Sequence, residues 1–189
     1  MRLFVGIDIP ETLRDQIAAY AEKLRDLAPD VRWVKPETLH VTLKFIGESQ
    51  QVDEIKTAIS SVQSPAFEIT FCDTGFFAPR QPRVFWVGVH ASDALPHLAA
   101  RVDEATASVG IAPEQKPYKA HLTLAREGSG NPHQRGRGSS GLAALRDQIA
   151  NLPQPDFGTM LATEFFLYQS QLSPQGARYT KLERYELKR

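Results

Sequence analysis

Two stretches of this chain, LHVTLKFIGE from Leu39 and AHLTLAREGS from Ala120, carry one phrase: His, an aliphatic residue, Thr, Leu. The copies are His40-Val41-Thr42-Leu43 and His121-Leu122-Thr123-Leu124, with the histidines 81 positions apart (121 − 40). Successive side chains on a strand point to opposite faces, so each His shares a face with its Thr while the aliphatics anchor the other. Two such strands around one small volume would gather two imidazoles and two hydroxyls. Imidazole serves as acid or base near neutral pH. An opposed pair takes a proton from water on one side and gives one to a leaving oxygen on the other. Threonine hydroxyls donate to non-bridging phosphate oxygens, where negative charge must be held. Arg126 adds a permanent positive charge, although strict alternation puts it on the face opposite Thr123 unless the strand ends or bulges. The chemistry that matches is metal-free cleavage of a phosphodiester. A single His-x-Thr would be an ordinary strand histidine; two copies equal in type, phase and following leucine are the signal.

The elements that must position these residues follow from hydrophobic periodicity. RLFVGIDI reads as a strand stopped by Pro10, and Leu13, Ile17, Leu24 and Leu27 predict a helix from Glu11 to about Leu27. VRWVK and LHVTLKFIG are extended. Val52, Ile55, Ile59 and Val62 predict a second helix that Ser49 could cap. AFEITFCDTGFF and RVFWVGVH form two strands around the turn APRQP. Leu95, Leu98, Val102, Ala105 and Val109 predict a third helix, entered at Ser92 and left at Gly110. KAHLTLAR is a strand, EGSGNPHQRGRGSS a loop, and Leu142, Leu145 and Ile149 a short helix. TMLATEFFLYQSQL and ARYTKLERYEL close the chain as a strand pair joined through SPQG. Hairpin-like junctions outnumber long crossovers, which favours α+β over a doubly wound parallel sheet. Each half holds a histidine strand, then a helix, then a strand pair, an echo that fits duplication into two lobes.

Bulk properties narrow the function. The 189 residues carry 22 Lys plus Arg and 22 Asp plus Glu, so an anionic ligand must be held by local charge. No signal-like N-terminus and no run of about 18 apolar residues is seen, and the reading is a cytoplasmic protein. The lone Cys72 excludes an internal disulfide and reads as a bystander thiol. No histidine stands at metal-ligand spacing from carboxylates, and no HExxH occurs, so no metal site is expected.

At these residues the sequence resembles the two-histidine phosphoesterase superfamily, and within it the RNA 2′,3′-cyclic phosphodiesterases, also called the 2′-5′ RNA ligase (LigT-like) family. The two His-x-Thr-x motifs match, and RLFVGIDIP, VRWVKPETLHVTLKFIGE and KPYKAHLTLAR are similar around them. The resemblance covers essentially the whole chain. It implies a bilobal α+β fold in which two mainly antiparallel sheets, flanked by helices, are related by pseudo-twofold symmetry around a central cleft. Residues 1–189 would form one domain of two lobes, each giving one histidine strand. It also implies hydrolysis of RNA 2′,3′-cyclic phosphate ends to 2′-phosphomonoesters, without a cofactor. His40 would be the proton donor to the departing 3′ oxygen and His121 the acceptor that activates water. Thr42, Thr123 and Arg126 would hold the phosphate. Residues alone do not say which histidine is acid and which is base.

Other readings stay open: a 2′-5′ RNA ligase, which is the same chemistry reversed; a relative acting on a small cyclic nucleotide phosphate; or a non-catalytic module that binds RNA ends. Phe45, Trp33 and Tyr118 are candidate nucleotide contacts, because single-stranded ends are gripped by stacking on such rings. Arg135 and Arg137, among glycines, are candidates for a mobile flap over phosphates or simply part of a solvated loop, and Arg80 and Arg83, flanking a Pro turn, are candidate RNA contacts. His90 and His97 carry no assigned role, and His133 is a weak candidate for a third imidazole. The protein is expected to act as a monomer.

Overall fold

Pro10 marks the first junction. Its ring fixes φ at −60°, and it stands as N-cap between strand β1 (Arg2–Asp8) and helix α1 (Glu11–Arg25). The computed structural model of the chain describes residues 1–128, 141–174 and 176–188. The helix buries Leu13, Ile17, Ala21 and Leu24, the stripe that the 3.6-residue period requires. A two-residue strand β2 (Arg32–Trp33) and a 3₁₀ turn over Pro36–Thr38 lead into β3 (His40–Glu48). Then come α2 (Val52–Ser60), β4 (Phe67–Phe77), β5 (Val84–Ala91), α3 (Ala94–Ala107) and β6 (His121–Arg126). Gly110 leaves α3 at φ +88°, a left-handed value that glycine takes without a Cβ clash. The chain ends with α4 (Gly141–Ile149), β7 (Asp156–Ala162), β8 (Glu164–Ser173) and β9 (Gly176–Glu186).

The strands form two sheets, ordered β3-β1-β8-β9 and β2-β6-β5-β4-β7. Every pair within them is antiparallel. The expected bilobal α+β class is the one found. TMLATEFFLYQSQL, expected as a single strand, is two: it breaks at Thr163, and β7 joins β4 while β8 joins β1 in the other sheet. Nothing local marks this break, because both pieces have strand composition and only their partners differ.

The chain runs twice through strand, helix, histidine strand, helix and strand: β1-α1-β3-α2-β4, then β5-α3-β6-α4 and, after β7, β8. The strand that closes each run pairs with the opening strand of the other, β4 with β5 and β8 with β1. Neither sheet therefore belongs to one half of the sequence. Beneath them lies one core cluster, with Val5, Ile7 and Val41 from one sheet and Phe71, Phe85 and Leu122 from the other.

Candidate active site

The two histidine strands lie against each other between the sheets. Tyr118 ties them, its hydroxyl donating to the Thr42 carbonyl at 3.0 Å. Both strands lose phase at the same point of the repeated phrase. Val5 pairs with Lys44 and Gly6 with Thr42, leaving Leu43 extra; Phe85 pairs with Ala125 and Trp86 with Thr123, leaving Leu124 extra. Each is a β-bulge, which turns the residues beyond it to the other face. Leu43 and Lys44 are consecutively buried, as are Leu124 and Ala125, and the next residues, Phe45 and Arg126, are exposed. Arg126 thus comes to the face of His121 and Thr123, where unbroken alternation would have put it opposite. Phe45 holds the matching position beside His40.

Each imidazole is fixed through its Nδ1. The His40 Nδ1 lies 2.7 Å from the Thr38 carbonyl and the His121 Nδ1 2.8 Å from the Lys119 carbonyl. A carbonyl only accepts, so Nδ1 carries the proton in both rings and Nε2 is the nitrogen left for chemistry. The Thr42 hydroxyl sits 3.0 Å from the His40 Nε2. Aromatic rings brace both: Phe4 and Tyr179 have centroids 4.7 and 5.2 Å from His40, and Phe77 stands edge-on to His121 at 4.7 Å.

Burial lowers the pKa of both histidines below the ordinary imidazole value. At His40 the Thr38 hydrogen bond and then the Asp8 carboxylate oppose that shift, while Arg126 and His121 add to it. At His121 the Lys119 hydrogen bond opposes and Arg126 adds. The two rings and Arg126 thus share one electrostatic environment, and only His40 has a carboxylate acting on it. Asp8 faces His40 in the sheet register and is itself bound by Arg14 at 2.7 Å and Lys181 at 2.6 Å. Among the described residues no carboxylate pairs with Arg126. A cation beside two imidazoles attracts anions to that face.

From Thr42 and His121 a cavity of about 650 Å³ opens along α3, walled by Phe45, Phe77, Tyr118 and Lys119. Two of the three expected aromatic contacts line it. Trp33 does not: it pairs with the buried Ala125, packs edge-on to Phe85 at 6.2 Å and donates its indole N–H to the Ala28 carbonyl. Its register turns it toward the core. Arg80 and Arg83 are exposed at the β4–β5 turn, and the Arg83 carbonyl accepts from the Glu127 N–H at 3.0 Å. His90 and His97 are exposed. His133, Arg135 and Arg137 lie outside the described residues. Sequence reasoning missed Phe4, Asp8, Phe77 and Tyr179. They arrive from β1, β4 and β9, and no local pattern distinguishes them from ordinary strand residues.

The family profile described as LigT like Phosphoesterase matches this chain twice, over residues 7–86 and 87–179, with one histidine phrase in each match. An RNA 2′,3′-cyclic phosphodiesterase from Archaeoglobus fulgidus is 33% identical, across 98% of this chain and 100% of its own. Its Escherichia coli counterpart is 29% identical, across 98% and 96%. The crystal structure of E. coli LigT complexed with 3′-AMP superposes with a TM-score of 0.79 at 29% identity, covering 100% of this chain and 98% of that one. With both of its halves matched and both histidine strands facing one cleft, this chain belongs to the LigT-like phosphoesterase family.

Proposed function

We propose that this protein hydrolyses RNA ends bearing a 2′,3′-cyclic phosphate to 2′-phosphomonoesters, by acid–base catalysis between His40 and His121. The observation that carries the reading is the pair of rings held through Nδ1, each with Nε2 turned away from that carbonyl, and sharing one electrostatic environment with Arg126, which no carboxylate pairs among the described residues. The names of the relatives, RNA 2′,3′-cyclic phosphodiesterases along the whole chain, point the same way.

In this reading neutral His121 takes a proton from water as the water oxygen attacks phosphorus. Protonated His40 gives its Nε2 proton to the departing 3′ oxygen, and the phosphate remains on the 2′ oxygen. The turnover ends with His121 charged and His40 neutral, and solvent exchange restores both. Thr42, Thr123 and Arg126 hold the non-bridging oxygens, where charge develops. The acid role is given to His40, where burial, the largest cause, lowers the ring and the Asp8 carboxylate opposes that shift; among the described residues no carboxylate does so at His121. Phe45 and Tyr118 flank the terminal nucleotide from the cavity. Residues 1–189 act as one unit of two lobes, and a single copy suffices because both histidines come from it. Among the described residues, no helix is long and apolar enough to cross a membrane.

The test is an oligonucleotide ending in a 2′,3′-cyclic phosphate, incubated with the protein in excess EDTA, with the product resolved as 2′- or 3′-phosphate. The expected product is the 2′-phosphate, and His40→Ala and His121→Ala are each expected to abolish turnover while remaining folded. Turnover by either variant at the wild-type rate refutes the paired mechanism.

A further inference from the structure

Two strands from His121, on the same open face of the sheet, three side chains of metal-ligand type converge that no sequence motif joins. Cys72 pairs with Gly88, and Gly88 with His121, so Cys72 lies two interstrand spacings, roughly 10 Å, from the catalytic strand. Asp73 occupies a bulge of β4 at φ +61°. Without that left-handed step, alternation would turn its carboxylate to the opposite face from Cys72. Aspartate takes such a left-handed step more readily than most residues with a Cβ. His90 follows Gly88 by two positions and shares its face. A Cβ at Gly88 would stand 2.9 Å from the His90 Nε2 and 2.5 Å from the Cys72 carbonyl oxygen, so glycine leaves the room this ring occupies.

The donor atoms are already close to coordination spacing. The Cys72 Sγ is 3.7 Å and the His90 Nε2 3.4 Å from the Asp73 Oδ2, and all three atoms lie within 4.8 Å of one another. Bonds of about 2.3 Å to sulfur and 2.0–2.1 Å to nitrogen and oxygen in a tetrahedron separate the ligands by about 3.3–3.6 Å. Small side-chain adjustments suffice to close the set on one ion. We propose that Cys72, Asp73 and His90 form a binding site for one divalent cation of the zinc class, with the fourth position open to water. Thiolate and imidazole select such ions over magnesium and calcium.

Cobalt(II) reports the ligands directly, through its thiolate charge-transfer absorption and its four-coordinate visible bands. The chelator-stripped full chain is titrated with Co²⁺ and then with Zn²⁺. One equivalent of Co²⁺ is expected to give both bands, and Zn²⁺ to abolish them. Cys72→Ser is expected to lose the charge-transfer band. His90→Ala and Asp73→Asn are each expected to weaken binding by at least the ~10-fold that even outer-shell losses cost. His97→Ala, on the exposed surface of α3, leaves the titration unchanged. No saturable band at one equivalent overturns the assignment, as does a thiolate band that survives Cys72→Ser or is indifferent to both other variants. Phosphodiesterase activity is not the readout, so this result stands apart from that of the proposed reaction.

Discussion

At the scale of the residue, two backbone carbonyls decide which nitrogen of each imidazole carries a proton. Because the Thr38 and Lys119 carbonyls each accept from Nδ1–H, both rings present Nε2 without needing a carboxylate partner on Nδ1. In the proposed mechanism the pair acts with one ring charged and one neutral, so the rate is expected to be bell-shaped in pH, its limbs belonging to the coupled pair. Arg126 lowers both histidines. Removing its charge in Arg126→Gln relieves the repulsion on each protonated ring, so both limbs are expected to move to higher pH. The same change removes the proposed phosphate contact, and kcat/KM is expected to fall about 100-fold. Asp8→Asn has the opposite sign at one ring: it withdraws the carboxylate that favours charged His40, and the alkaline limb moves down. A pH–rate profile of the two variants checks both signs, and limbs that stay where they are in Arg126→Gln would detach that arginine from the pair.

At the scale of the element, a matched pair of β-bulges makes the cleft. One extra leucine in each histidine strand lets two consecutive residues point inward and then returns the chain to the open face. In β3 this delivers an aromatic ring, Phe45, to the open face and in β6 a guanidinium, Arg126. The β4–β5 hairpin supports the second strand through a glycine. A Cβ at Gly75 would fall 2.3 Å from the Trp86 ring, so the indole lies flat where any other residue would lift it. Trp86 is the register partner of Thr123. Gly75→Ala is therefore expected to cost about 1–3 kcal/mol of stability, the range for overpacking. It is also expected to change the indole emission in a Trp33→Phe background. Wild-type emission and stability in that variant would mean the ring does not rest there.

At the scale of the whole molecule, each run of the chain closes its partner's sheet, and one core passes beneath both. Lys44 extends this union beyond the strands. It is buried in β3 with its ammonium on the Asp103 carboxylate of α3 and on the Ala112 carbonyl at 2.8 Å. The lobes are expected to unfold together: urea transitions followed by tryptophan emission and by far-ultraviolet dichroism should coincide. Two separated transitions would show lobes that fold independently. Asp103→Ala is expected to lower stability by about 3 kcal/mol, since it strands a buried ammonium without its counter-ion.

The amino-acid order by itself determined the parts that depend on local pattern. Period-two alternation put each His beside its Thr and named the anchoring leucines; period-3.6 stripes placed the helices; the doubled phrase pointed to paired imidazole chemistry. Phase along a strand is a one-dimensional property, and one dimension suffices to read it. What only the tertiary structure decided are the contacts between distant strands. A bulge is a mismatch between two partners, so the side taken by Arg126 is invisible in either strand alone. The core-facing turn of Trp33 follows from its pairing with Ala125. The split of the penultimate strand run into β7 and β8 follows from which edges β4 and β1 offered. Phe4, Asp8, Phe77 and Tyr179 come to the histidines, and Cys72 and His90 to one another, through register across sheets. Sequence separation carries no information about register until the sheets have formed.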